Sequence, residues 1–470
     1  MKKKNTLPTP KASSLDEANE VISFLWDKVM ELEDRLNQNS RNSSVPSSQQ
    51  PLHNKASNTS PTRKKSGKKP GAQPGHKGSR RERHPDNELL SVEQYLPKST
   101  CDCGGMVIPN AKPYRAHQVF DLPDISYTVT EHQLYQGQCC HCGDKHKASL
   151  PDTVSQSQMG TNLLSFIALQ SAQHHQSMTK IQTMLNDVFG LSFCRGSISE
   201  AQARVSAMLT PTHQAIHQKV KASEVVMADE TLHQLNAEKR WLWVANTPLA
   251  TFFQTNAFRN QAAAKRLLGQ QVNHLLVTDQ YSSYRYIDKV QHQLCWAHIL
   301  RNVIAISESA DPGNHQIGAR LALIAHSVFR VRHRYENNEL AKELYLRRMH
   351  RLRSSWLLYL KIGSYQCSSR YRGRCQHILN DDEMLWRFLE HEQVPLTNNA
   401  AERVIRGYVL WRKCCYGVRS YRGELFRQRM LSLIETAKSL KLNPYQWLQS
   451  IVKACIEKTA YPLPQELLTR

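Results

Sequence analysis

The stretch Val225-Val226-Met227-Ala228-Asp229-Glu230-Thr231 decides the fold, because a short apolar run leads directly into two acidic residues. Short runs of β-branched and aromatic residues between turn residues indicate strands. Further β-type runs follow at 241–244, 251–253, 275–278 and 293–296, and a helical pattern covers Gln261 to Leu268. The run at 275–278 leads directly into Asp279. The sequence therefore predicts three strands, a helix, a strand, and a further strand or helix, with an aspartate at the end of the first and fourth strands.

This order of elements is that of a ribonuclease-H-like α/β domain, which we predict over residues 223–470. Such a domain holds carboxylates rigidly at the ends of adjacent strands, and the pair can bind Mg²⁺ ions about 3.5–4 Å apart. Asp229 and Asp279 are the candidates, although aspartates at strand ends often cap turns instead. Glu230 is a rival ligand, but successive side chains alternate between the faces of a strand, so it should point away from Asp229.

A third carboxylate should come from a later helix, and the segment from Asn398 to Arg406 supplies Glu402. A purely structural interpretation competes with this one. Asn399 as N-cap with Glu402 at the third helical position resembles a capping box, and Glu402 and Arg406 have the spacing of an i,i+4 ion pair. Between the second and third carboxylates, residues 307–394 have a helical pattern and are predicted to form an insertion. His298 is interpreted as a core histidine, with an approach to phosphate or a ligand as the alternative.

The charge of the chain points to a polyanionic partner. Its 470 residues include 62 Lys and Arg against 40 Asp and Glu, a formal net charge of +22. Such a surplus favours nucleic acid over a neutral metabolite. We expect no membrane association, because no apolar run approaches the roughly 20 residues of a spanning helix. The basic start of the chain lacks the apolar core of a signal peptide. A cytoplasmic protein, associated with the nucleoid when bound to DNA, is therefore predicted.

Three segments carry the positive charge. Residues 41–83 contain 11 basic and 1 acidic residue, residues 320–374 contain 13 and 3, and residues 403–429 contain 8 and 1. Cations that neutralise backbone phosphates supply most of the affinity for DNA, whereas a solvated charge run is the alternative. The candidate DNA-binding residues are Lys64, Lys65, Lys68, Lys69, Lys77, Arg80, Arg81, Arg403, Arg406, Arg412 and Lys413.

The first 40 residues carry a heptad pattern. Apolar residues recur in alternating steps of three and four at Leu15, Ala18, Ile22, Leu25, Val29, Leu32 and Leu36. This pattern predicts a short coiled coil and self-association. The alternative is a single amphipathic helix packed on the core of its own chain. Residues 41–87 are predicted to be a disordered linker followed by a basic arm, since they combine polar residues with Gly and Pro.

Two cysteine pairs, each followed by glycine, suggest a structural zinc site in a small β-rich domain over 88–158. The predicted ligands are Cys101, Cys103, Cys139 and Cys142. Tight turns that each present two thiolates suit tetrahedral zinc, and four free thiols are the alternative. Alternating patterns at 127–129 and 132–135 predict strands that bring the pairs together. Residues 159–222 read as helical, either as a helix–turn–helix DNA reader or as a helical connector.

Taken together, these motifs resemble the transposases of the bacterial insertion sequence sixty-six family, and the likeness covers nearly the whole chain. The matching segments, in order, are the leucine heptad, Lys69–Gly78, the paired cysteines, Asp229–Thr231, Thr278–Tyr284, Cys295–His298, Asn398–Arg406, Ser432–Lys438 and Asn443-Pro444. Two departures stand out. The first cysteine pair is one residue tighter than the family's usual Cys-x2-Cys, and Gln280 replaces a glycine beside the second aspartate.

The resemblance implies an Asp-Asp-Glu transposase. Asp229, Asp279 and Glu402 would hold two Mg²⁺ ions, for which Mn²⁺ can substitute, and these would promote cleavage at the element ends and strand transfer. It also implies DNA with terminal inverted repeats and target DNA as substrates, a homo-oligomer, and accessory proteins of the same element. Two other functions remain open. One is a zinc-containing DNA-binding regulator with a decayed nuclease-like domain, and the other is a stand-alone nuclease of the same fold.

Overall fold

The sheet and its helices are seen in a computed structural model that describes residues 12–39, 42, 83, 85–123 and 125–468. The chain divides into two compact units, one made of residues 56–129 and the other of residues 1–55 with 130–470. The arm residues Lys64, Lys65, Lys68, Lys69, Lys77, Arg80 and Arg81 lie outside the described residues.

Helices account for most of the regular structure in the described residues. They are α1 Leu15–Leu36, α2 Thr161–Ala172, α3 Met178–Phe189, α4 Arg195–Met208, α5 Thr210–Ala222, α6 Gln261–Leu268, α7 Trp296–Ser307, α8 Pro312–Glu336, α9 Lys342–Gln366, α10 Ser369–Asn380, α11 Asn399–Cys415, α12 Tyr421–Ser439, α13 Pro444–Glu457 and α14 Gln465–Leu468. The strands are β1 Gln136–Gln138, β2 Lys145–Lys147, β3 Val225–Leu235, β4 Glu238–Asn246, β5 Thr251–Asn256, β6 Leu275–Thr278 and β7 His292–Leu294. None of the helices so described is long and apolar enough to cross a membrane.

A five-stranded sheet in the order β5-β4-β3-β6-β7 forms the centre of the larger unit. Strands β3, β4 and β5 pair antiparallel, whereas β6 pairs parallel to β3 and β7 parallel to β6. The predicted order of strands and helix is confirmed, and α6 and β6 have the expected bounds. One boundary was wrong. Asp229 lies inside β3 rather than at its end, because the strand stays paired with β4 as far as Leu235. A two-residue hairpin loop then leads into β4.

Both faces of the sheet are covered. Val226, Trp243 and Leu276 pack into one apolar core with α2–α6, α12 and α13. Met227, Val244 and Val277 pack into a second core with α7–α11. Successive side chains of a strand point to opposite faces, so the continuous apolar run at the start of β3 supplies both cores. The sheet is therefore enclosed between helices, and polar side chains in it are held in a dry environment.

The predicted insertion is helical, as expected. It contains α8, α9 and α10, and an aromatic cluster joins it to α7. Ring centroids of Trp296 lie 5.2 Å from Trp356 and 5.1 Å from Trp386, and all three rings are buried. The region 159–222 is also helical, and α4 buries Ile198 and Val205 in the first core.

The heptad segment forms the helix α1, and none of its residues is buried. Leu15, Ile22 and Leu25 are 79%, 62% and 49% exposed. The alternative in which its apolar face packs on the chain's own core is therefore wrong. Near the end of the helix, the Asp34 carboxylate accepts hydrogen bonds of 3.0 Å from the Ser309 hydroxyl and 3.0 Å from the Ala310 amide. Self-association through this face remains a prediction.

The strands expected at 127–129 and 132–135 are not formed. A strand needs a ladder of paired backbone groups. The Tyr135 carbonyl accepts a hydrogen bond from the Ala148 amide at 2.9 Å, but no ladder forms at either segment among the described residues. Val129 is 80% exposed and Tyr135 is 74% exposed. The β-hairpin of this region is instead β1–β2, which lies directly after these segments and encloses the second cysteine pair.

Candidate active site

The two aspartates lie on neighbouring parallel strands. Asp229 is the fifth residue of β3, and Asp279 directly follows β6. Each is half-buried and held by a local amide. The backbone N–H of Glu230 donates to Asp229 Oδ1 at 2.8 Å, and that of Tyr281 donates to Asp279 Oδ1 at 2.9 Å. Carboxyl ends of parallel strands meet at one edge of a sheet, which is a common location for binding sites.

Glu402 lies in the first turn of α11. The capping-box interpretation is wrong, because the N-cap is Asn398 and no side chain caps the helix. Asn398 is fully buried and its amide Nδ2 donates to the carbonyl of Ala228 in β3 at 3.5 Å. The ion-pair interpretation is also wrong, since Glu402 Oε1 lies 3.5 Å from Arg301 and 3.6 Å from His298.

Asp229 lies in the electrostatic field of the neighbouring carboxylates. Burial raises the pKa of Asp229 well above its ordinary value, and the negative charges of Glu230, Asp279 and Glu402 raise it further. Glu402 Oε1 is buried without a hydrogen-bond partner. Among the residues that the structure describes, no three His, Cys, Asp or Glu side chains form a ready metal-ligand group. Carboxylates that repel one another, and an oxygen that accepts no hydrogen bond, nevertheless suit a divalent cation, because oxygen donors and negative charge are what Mg²⁺ requires.

Glu230 occupies a separate environment on the opposite face of β3, as predicted. Its side chain is 1% exposed. Its carboxylate accepts hydrogen bonds from Arg259 Nε at 2.7 Å and from the Tyr284 hydroxyl at 2.5 Å. Burial, followed by the charge of Asp279, raises the pKa of Glu230 to about 7 against the opposing effect of Arg259. The oxygens of Glu230 are thus occupied by protein donors, although its charge still acts on Asp229.

His298 is not a core residue, contrary to its interpretation from the sequence. Its side chain is 17% exposed and faces Glu402. Burial lowers its pKa, which the negative charges of Asp279 and Glu402 partly oppose. Arg301 lies one turn further along α7, and its guanidinium also faces Glu402. Sequence reasoning missed Arg301, although its i,i+3 spacing from His298 on a helix was a usable signal.

Gln280, the departure from the family pattern, links the loop after β6 to the helical insertion. Its amide nitrogen donates to Asp381 Oδ2 at 3.1 Å, and its amide oxygen accepts from Asn302 Nδ2 at 3.3 Å. A glycine could make neither bond. The side chain therefore fastens the loop that carries Asp279 to α7 and to the segment after α10.

The predicted DNA contacts on α11 divide into two groups. Arg403, Arg406 and Lys413 are exposed. Arg412 is half-buried and donates a short hydrogen bond to the carbonyl of Leu232 in β3. Burial lowers the pKa of Arg412. Its guanidinium fastens α11 to the sheet, whereas the other three cations are available to solvent.

Both cysteine pairs lie on tight hairpin turns with related hydrogen bonds. The amide of Cys101 donates to the carbonyl of Gly105 at 2.8 Å, and that of Cys139 donates to the carbonyl of Asp144 at 2.8 Å. Gly104 and Gly143 have φ of +88° and +79°, a conformation that favours glycine. The first turn is thus one residue shorter than the second. Hydrogen bonds from backbone amides and the neighbouring thiol lower the pKa of Cys103, as they do that of Cys139.

Comparison with known proteins identifies the family of the chain. The model of a family described as "Transposase IS66 family" matches residues 156–424, which include all three carboxylates. This match puts the protein in the class of transposases. The chain belongs to the IS66 family, as the sequence motifs indicated. A second model, that of a family of unknown function called DUF6444, matches residues 7–82.

Two uncharacterized proteins of Sinorhizobium fredii (strain NBRC 101917 / NGR234) are similar to the chain. Protein y4jD is 22% identical over 294 residues, which are 57% of this chain and 57% of y4jD. Protein y4hP is 22% identical over 408 residues, which are 78% of this chain and 72% of y4hP. The chain thus spans little more than half the length of the first of these relatives.

Proposed function

We propose that this chain is the transposase of a bacterial insertion sequence, which cleaves DNA at the element ends and joins them to target DNA. The observation that carries the proposal is that Asp229 lies buried beside the negative charges of Asp279 and Glu402, inside the region matched by the IS66 family. The sheet order, with three antiparallel strands followed by two parallel ones, supports a ribonuclease-H-like catalytic domain.

Asp229, Asp279 and Glu402 are the residues that would hold two Mg²⁺ ions, or Mn²⁺ in their place. Bound at such a site, the ions lower the pKa of an attacking water or orient a DNA 3′-hydroxyl and stabilise the leaving oxygen. The chain itself supplies position and charge. Asn398 fixes the start of α11 against β3, and the guanidinium of Arg301 places positive charge beside Glu402, where a phosphate would approach.

DNA would lie along the exposed cations of α11, next to the carboxylates, and the basic arm would add phosphate contacts. Arg403, Arg406 and Lys413 are the exposed members on the helix. Zinc bound by Cys101, Cys103, Cys139 and Cys142 would stabilise the small β-rich part, in keeping with the lowered thiol pKa values in both turns. Self-association through α1 would pair two element ends, with accessory proteins of the same element as further partners.

The proposal can be tested with purified chain, Mg²⁺ and labelled DNA that carries the terminal inverted repeats flanking the gene. We expect cleavage and joining, and we expect Asp279→Asn to lose nearly all of this activity, since it removes a ligand of the metal pair. Asp187→Asn, on the exposed side of α3, is the matched control and should retain activity.

Other outcomes distinguish the alternatives. Binding of the repeats without any cleavage by the wild-type chain would favour the regulator, and cleavage without joining would favour a stand-alone nuclease. An Asp279→Asn variant as active as wild type would show that the carboxylate assignment is incorrect. Metal analysis under reducing conditions tests zinc separately, and a stoichiometry near zero would contradict the cysteine site.

A further inference from the structure

The parallel pairing that aligns the two aspartates stops before it reaches them. Strand β3 pairs with β6 at Val225, Val226 and Met227, and the last pair is Met227 with Val277. Asp229 and Asp279 each lie two residues beyond that pair. Ladder hydrogen bonds between these two strands therefore do not fix the distance between the two carboxylates, and other contacts must do so.

A continuous set of contacts joins the aspartates through Arg259. On the β3 side, Asp229 accepts from the amide of Glu230, and the Glu230 carboxylate accepts from Arg259 Nε at 2.7 Å and from its Nη2 at 2.5 Å. On the β6 side, Asp279 accepts from the amide of Tyr281, and the Tyr281 hydroxyl donates to the Arg259 carbonyl at 2.7 Å. Both halves of the link meet at one residue.

The side chain of Arg259 is itself held firmly. Its guanidinium carbon lies 3.6 Å from the centroid of the Tyr281 ring and 5.0 Å from that of Trp241. The Glu230 side chain is 1% exposed, so this ion pair is screened little by solvent. Two N–H donors of the planar guanidinium converge on one oxygen, Glu230 Oε1, and a lysine has no planar group that could present two such donors.

We propose that Arg259 is a positioning residue that sets the separation of Asp229 and Asp279 and thereby the affinity of the pair for divalent metal. It touches neither aspartate and acts through Glu230 and Tyr281. Partners of this kind behind metal ligands typically change metal affinity by about 10–100-fold when they are removed. The inference rests on the proposed function only in taking the two aspartates as metal ligands.

The experiment measures Mn²⁺ binding to the full chain by calorimetry, without DNA, and the Mg²⁺ concentration that gives half-maximal DNA cleavage. Arg259→Lys should weaken Mn²⁺ binding roughly tenfold and raise the required Mg²⁺ by a similar factor. The matched control is Arg240→Lys, because Arg240 Nε also donates to a buried carboxylate, Glu424 Oε1, at 2.7 Å. The control should bind Mn²⁺ like wild type.

A second variant protects the test against misfolding. If Arg259→Lys does not fold, Tyr281→Leu is measured in its place. This variant removes the ring beneath the guanidinium and should also weaken Mn²⁺ binding. Wild-type affinity in a folded Arg259→Lys variant overturns the proposal, and so does an equal loss in the Arg240→Lys control. Weakened Mn²⁺ binding with no DNA cleavage by wild type would support the positioning role while rejecting the transposase. A wild-type chain that binds no Mn²⁺ rejects both.

Discussion

Replacing His292 by glutamine should flatten the dependence of stability on pH below about 6.5. His292 lies in β7 and is 4% exposed. Its Nε2 lies 2.7 Å from the hydroxyl of Thr278, which in turn donates to the Asp279 carbonyl at 2.7 Å. Burial lowers the pKa of His292 from 6.5 to about 4. Glutamine can still donate to Thr278 but does not titrate in this range.

The sign follows from proton uptake. Between pH 6.5 and pH 4 the unfolded chain protonates His292 while the folded chain does not, so the unfolded state binds more protons and stability falls as the pH falls. The stability of the fold that depends on a neutral His292 is fully present above pH 6.5. It falls progressively below that pH and is lost below the folded pKa of about 4. At about 1.36 kcal/mol per pH unit, the loss reaches about 2 kcal/mol at pH 5 and about 3 kcal/mol below pH 4.

The assay is urea unfolding of wild type and His292→Gln at several pH values from 7.5 to 4, with the same buffer ions throughout. His213, whose pKa burial also lowers to about 4, is present in both proteins, so its contribution cancels in the difference. We expect the stability of wild type relative to His292→Gln to fall by about 2 kcal/mol between pH 7.5 and pH 5. Profiles that stay parallel over this range would refute the assignment of the neutral form to buried His292.

Three further predictions concern packing, DNA and assembly. Gly318→Ala should lower the free energy of unfolding by about 1–3 kcal/mol and lower the melting temperature, because the added carbon would clash with backbone at the end of α7. Gly373→Ala has open space around the added carbon and should cause no such loss. Equal effects of the two variants would contradict the close approach at Gly318. Arg406→Gln should weaken DNA binding similarly for all sequences and reduce the salt slope by about one, and an unchanged slope would remove this residue from the DNA interface. Ile22→Glu on the exposed face of α1 should abolish self-association measured by light scattering. Unchanged association would contradict pairing through this face.

Local patterns predicted local structure well. The bounds of α6 and β6 follow from periodicity and flanking turn residues alone, and the alternation rule placed Glu230 on the face opposite Asp229. The ends of strands that depend on pairing with a distant segment could not be predicted from the sequence. Strand β3 runs on to Leu235 because β4 returns beside it, whereas no ladder of paired residues forms around Val129 in the described part of the chain.

The candidate site shows the same division. Its acidic residues could be found from sequence, because each stands beside a recognisable strand or helix. The residues that hold them could not, since Arg259 meets Glu230 across 29 positions and His298 meets Glu402 across about a hundred. His298 was therefore read as a core residue, although it faces the site. Contacts of this kind depend on how the elements pack, and the periodicity of one element carries no information about them.

Glu402 is separated from the aspartates in sequence by a long helical insertion, and the helix α11 explains how it still lies near them. Hydrogen bonds at the start, middle and end of α11 connect the helix to β3. At its start Asn398 donates to the Ala228 carbonyl, in its middle Tyr408 shares a hydrogen bond with His233, and near its end Arg412 donates to the Leu232 carbonyl. Just beyond the helix, the amide of Asn236 donates to the carbonyl of Val418 at 2.7 Å.

These contacts locate Glu402 relative to the strand that carries Asp229, and they do not pass through α8, α9 or α10. The contacts of Asn398, Tyr408 and Arg412 are buried or half-buried, so breaking one leaves a polar group unpaired, at a cost of about 1–3 kcal/mol. The position of the third carboxylate is therefore set by α11 and β3 together. The insertion enters the site from another direction, through Asp381 and the Gln280 side chain beside the second aspartate. Changes within α8 and α9 should accordingly disturb the loop of Asp279 before they disturb Glu402.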